Sequence, residues 1–98
     1  MDLNELPRSD LILPGLEDLY HGRKNTIGSL LISIASIRLT AAGLDIPQEF
    51  LVSEPELALY EYLQHDRDDA YSYYNALLNS LNSFCAALEL KFKYSYSN

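Results

Sequence analysis

Between Ala70 and Leu88 the chain carries no charged side chain. About a quarter of residues in ordinary domains are charged, and a solvated helix face normally carries Glu and Lys, so this run points to a helix covered on more than one side. Ala70, Tyr74, Leu77, Leu81, Phe84 and Leu88 return at steps of three and four and define one apolar stripe. Ser72, Asn75, Asn79, Asn82 and Ser83 supply a second face of neutral amides and hydroxyls. Such groups cost little to bury once hydrogen-bonded.

Prolines and glycines organise the rest. Pro7 and Pro14 interrupt residues 1–15, which read as an extended arm because proline lacks the N–H a helix interior needs. From Leu16 the apolar positions Leu19, Ile27, Leu30, Ile34, Ile37 and Ala41 follow a helical period, giving a helix near 16–42. Gly22 and Gly28 weaken its first half by about 1 kcal/mol each relative to alanine, which allows a break near 22–26 with Thr26 capping a second start. Gly43 and then Pro47 stop this segment. Glu54, Pro55 and Glu56 mark a helix N-terminus. The polar stretch 65–69 divides the second half of the chain into helices near 55–65 and 67–90, and 91–98 read as a C-terminal tail. The expected fold is all-α: an antiparallel helical hairpin or three-helix bundle spanning 16–90 as a single domain, completed by oligomerisation. Its core pairs the Leu30, Ile34, Ile37 stripe with Leu77, Leu81 and Phe84.

Charge and composition narrow the function. Fourteen acids face seven bases, for a net charge of −7, so the clustered cations of a phosphate-binding surface are missing and a nucleic-acid partner is not expected. The 48% apolar content is that of a folding chain. A membrane span over 26–44 would bury Arg38 and has no flanking aromatic belt, so none is expected. A single cysteine, Cys85, and acidic residues in place of a basic leader point to a reducing, cytoplasmic setting.

Chemistry-bearing patterns are sparse. Glu17 and His21, like Glu61 and His65, stand four apart on one helical face, the minimum from which a two-helix metal or catalytic site could be assembled. Carboxylate-bridged bundles instead use a Glu-x-x-His spacing. An antiparallel hairpin turning near residue 49 would also separate His21 from the level of His65 by about 18 Å at 1.5 Å per residue. No glycine-rich phosphate loop or nucleophile motif is present, and Cys85 lies among apolar neighbours. No catalytic residue and no cofactor is therefore assigned.

Eight tyrosines and no tryptophan favour interfaces, since a tyrosine ring buries apolar area while its hydroxyl keeps a polar contact. The expected partner surface comprises Ser29, Ser33 and Ser36 from one helix and Tyr71, Tyr73, Asn75, Asn79 and Asn82 from the other. Together these features describe a small acidic helical interaction module, either a homodimer or a subunit covering an apolar or basic surface of another protein in the manner of an adaptor or antitoxin. The alternative is a small metal-binding or catalytic bundle built on His21 and His65 with Glu17 and Glu61.

Overall fold

A computed structural model describes residues 3–96, and these are all helix, turn and loop, without a strand. The α-helices among them are α1 (Ser9–Tyr20), α2 (Ile27–Ile34), α3 (Ser36–Ala41), α4 (Pro55–Asp66) and α5 (Ala70–Tyr96). Short 3-10 turns at Leu3–Glu5 and Gln48–Phe50 complete the order.

The sequence IGSLLISI of α2 is apolar or small on every side, and such a helix has to be interior. Ser29, Leu30, Leu31, Ile32 and Ser33 are all buried there. Its start is fixed locally. Thr26 Oγ1 accepts from the Ser29 N–H at 3.1 Å, and Ser29 Oγ accepts from the Thr26 N–H at 3.0 Å, a reciprocal capping box. Thr26 Oγ1 also donates to Asp18 at 2.8 Å, tying the cap to α1.

α1 corrects the sequence reading most. The expected extended arm at 1–15 is instead a turn followed by more than half of a helix, with Leu6 and Ile12 in the core; Met1 and Asp2 lie outside the described residues. Pro14 stands inside α1 on an exposed position. Proline removes one hydrogen bond, and here the carbonyl left over lies on the exposed Asp10. Gly22, at φ 78°, ends α1 while the Arg23 N–H bonds back to the Asp18 carbonyl at 2.8 Å. The expected helix at 16–42 is accordingly three helices, broken at 21–26 and again at Ala35.

α1 and α2 pack more extensively than any other pair of helices, and two glycines set their separation. A methyl group built on Gly15 would lie 2.2 Å from the carbonyl carbon and oxygen of Gly28, and one built on Gly28 would lie 2.7 Å from the Gly15 Cα. Both clashes are with backbone, so no side-chain rotation relieves them. Leu19 of α1 and Leu30 and Leu31 of α2 are consequently buried in one core with Leu59 and Leu63 of α4 and Leu77, Leu81, Phe84 and Leu88 of α5.

α4 occupies nearly the expected range, with Pro55 in its first turn behind Glu54. Glu54 adopts φ 51° and caps through geometry alone, without a side-chain hydrogen bond. α5 carries the expected core stripe but continues past Leu88. Lys91 pairs with Glu5 at 3.4 Å, and the Phe92 ring lies 3.0 Å from where a Gly43 methyl would stand. The tail expected at 91–98 is thus helical to Tyr96, with Ser97 and Asn98 outside the described residues. Arg38 of α3 clasps Glu89 of α5 through two bonds of 3.0 and 2.7 Å and reaches Asn82 at 3.2 Å.

The glycine crossing sets an expectation opposite to helix propensity. Gly28→Ala would stabilise an open helix by about 1 kcal/mol, but here it overpacks a backbone contact and is expected to destabilise by about 1–3 kcal/mol. Urea denaturation followed by circular dichroism reads this directly, and an unchanged or raised midpoint would contradict the contact.

Candidate functional site

Ser29 and Ser33, expected at a partner surface, are interior. The face of α2 that the sequence pattern assigned to a second chain is buried within this one, and Ser29 is consumed by the capping box. Ser33 Oγ is buried with no hydrogen-bond partner among the described residues. Ser36 is half-buried beside Ile37. Ile37, assigned to the core stripe, is instead 85% exposed, because the break at Ala35 turns α3 away from α2.

The α5 residues separate onto three surfaces. Asn75, Asn79 and Asn82 are exposed. Asn75 donates to the Tyr71 carbonyl one turn back at 3.1 Å, Asn79 lies in a shallow hollow with Arg8 and Ser83, and Asn82 accepts from Arg38. Tyr73 is occupied within the chain: the Arg67 guanidinium carbon lies 3.9 Å over its ring, while Asp69 holds the same guanidinium at 2.8 and 3.2 Å. Tyr71 points elsewhere and is 69% exposed.

Tyr71 belongs to an open groove of about 360 Å³ between the first turns of α4 and α5, lined by Glu56, Leu57, Tyr60, Tyr71 and Tyr74. Pro55 fixes the first turn of α4, and the residues after it place Glu56, Leu57 and Tyr60 on the side facing α5. From α5, Tyr71 and Tyr74 stand three apart, the spacing of neighbours on one helical face. The Tyr60 ring meets both edge-on, with centroids 6.5 Å from Tyr71 at 87° and 5.5 Å from Tyr74 at 80°. These T-shaped contacts hold the cluster in one arrangement. Leu57 is 51% exposed at the rim. Glu56 is the only charge among the lining residues. Burial, and secondarily the charge of Glu56, push the Tyr74 hydroxyl above its ordinary range. Sequence reasoning does not single out Tyr60, Tyr74 and Leu57 as site residues, although Leu57 and Tyr60 at a spacing of three give the available signal.

The His/Glu pairs form no comparable arrangement. His21 Nδ1 lies 2.9 Å from the Glu17 backbone carbonyl rather than its carboxylate. His65 and Glu61 are both exposed on α4. Among the described residues, no group of three or more His, Cys, Asp or Glu side chains is placed to hold a metal ion. Cys85 is buried, and burial raises its thiol pKa, the reverse of what a nucleophile needs. Asp18 is held below the usual carboxylate range, first by the Thr26 hydroxyl and then by Arg23, as a structural anchor of the α1–α2 turn. Among the described residues, Arg23, Arg38, Arg67 and Lys91 are paired with carboxylates of the same chain. No helix of the described residues is long and apolar enough to cross a membrane. The chain matches no known protein family, no curated protein and no solved structure.

The orphaned hydroxyl of Ser33 separates an interior position from an interface. Removing a buried unsatisfied group relieves a desolvation penalty, so Ser33→Ala is expected to stabilise the isolated protein by about 1 kcal/mol in the same denaturation assay. A loss of about 1 kcal/mol or more would show that Ser33 makes a necessary hydrogen bond.

Proposed function

We propose that this chain is a protein-interaction module whose docking surface is the tyrosine groove between α4 and α5, and whose occupant is a segment of another protein carrying an apolar residue beside a basic one. The observation that carries this reading is the groove itself: an open, tyrosine-walled depression of about 360 Å³ with Leu57 and Tyr71 half or more exposed and Glu56 as its one charge. Tyrosine walls give large rigid contact area at small entropic cost, the character of an interface anchor. The surroundings choose the sign of the partner. Glu54, Glu56 and Glu61 stand on or beside α4 in a chain of net charge −7, which attracts and orients basic partners.

The same charges disfavour a second copy of this chain as the occupant. A two-fold interface across the groove would set Glu56 and its neighbours against their own equivalents.

Peptide selection on the immobilised full-length chain tests the reading. Enriched sequences are expected to place Lys or Arg next to Leu, Ile or Phe, and Leu57→Asp or Tyr71→Ala is expected to weaken their binding about tenfold or more, in line with loss of an interface anchor. Enrichment of acidic sequences, binding indifferent to both substitutions, or a dimer that Tyr71→Ala dissociates would overturn it.

A further inference from the structure

The groove has the components of a site for one particular side chain. Its walls are three tyrosine rings, of which Tyr71 is 69% exposed and offers open ring surface to solvent. Its single charge is a carboxylate, and none of its lining residues is a cation. The depression is open rather than enclosed, which suits a flat group laid along a ring more than a compact one held in a cage. A planar guanidinium fits all of these. It is weakly hydrated, stacks on aromatic faces and offers several donors to a carboxylate at once, whereas an ammonium is a strongly hydrated point charge.

This chain already makes that contact at another point on α5. Arg67 lies 3.9 Å over the Tyr73 ring while Asp69 takes its donors at 2.8 and 3.2 Å. Tyrosine, carboxylate and guanidinium thus form a complete unit at Tyr73. At the groove, the Tyr60, Tyr71 and Tyr74 rings and the Glu56 carboxylate line one depression, so the first two kinds of group are present there as well.

We propose that the groove is an arginine-anchoring site, in which a partner segment lays a guanidinium against Tyr71 and its neighbouring rings and pairs it with the Glu56 carboxylate. This rests on the reading that the groove docks a partner protein, and adds which side chain anchors it and why. Tyr60, braced edge-on between Tyr71 and Tyr74, keeps the ring surfaces in place before the partner arrives. Leu57 at the rim contacts the apolar residue next to the arginine.

Citrulline, which keeps the shape of arginine without its charge, isolates the claim. Short capped peptides with one arginine or one citrulline between two leucines are titrated into labelled full-length protein, and the tyrosine ring resonances are followed by NMR. The arginine peptide is expected to shift Tyr60, Tyr71 and Tyr74 saturably and to bind about three- to tenfold more tightly than the citrulline peptide, the range of an exposed cation–π contact reinforced by one ion pair. Glu56→Gln is expected to remove most of that difference, and Tyr71→Ala to weaken both peptides. Equal affinity for the two peptides would overturn the arginine anchor while leaving an apolar docking groove intact. Saturable shifts confined to another surface, or no shift with either peptide, would remove the docking reading along with it.

Discussion

The backbone contact between Gly15 and Gly28 is the constraint on which the rest of the structure depends. Helix axes usually approach to about 8–10 Å because side chains intervene. Two facing glycines remove those side chains, and α1 meets α2 backbone to backbone. That approach lets Ile12 and Leu19 of α1 join Leu30, Leu31 and Ile32 of α2 in one core. It also explains how a short helix as apolar as α2 is buried within one chain of 98 residues. Around the crossing, the Thr26 and Ser29 cap and the Asp18 carboxylate fix the turn that delivers α2 to α1.

The uncharged faces of α2 and α5 point to cover from a second chain, and on α2 the serines of that face are buried within this chain instead. On α5 the neutral amides remain exposed, served by Arg38 at Asn82 and by a local bond at Asn75. The tyrosine groove lies at one end of the uncharged run, where Leu57 and Tyr60 of α4 meet Tyr71 and Tyr74 of α5. Glu56 of α4 lies in that groove, which links the two unusual distributions in this sequence, its tyrosines and its charges.

Legibility depends on which signals are local. The α4 start can be read because Pro55 and its flanking acids act within one turn. The core stripe of α5 can be read because helical period alone determines which residues share a face. α1 is hidden by Pro14, whose lost hydrogen bond falls at the exposed Asp10 and breaks nothing in the core. Yet Ile12, Gly15 and Leu19 keep the three-and-four spacing straight through the proline, a signal that outweighs it. Gly28 reads as a weak point in a helix because propensity describes an isolated helix, and a glycine placed for close approach differs only in what stands opposite. Ile37 misleads for a related reason: extending one period across Ala35 assumes a continuous helix, and the break rotates every later position. The groove is half legible, since Tyr71 belongs to the expected surface while its companions on α4 depend on a packing angle no local pattern contains.

The central claim is that α1 covers α2 within one chain by crossing at the two glycines. An isotope-filtered nuclear Overhauser spectrum of a mixture of labelled and unlabelled protein measures this most directly. The account predicts cross-peaks between the Gly15 and Gly28 α-protons within single chains. Their absence, or their appearance only between differently labelled copies, would contradict it.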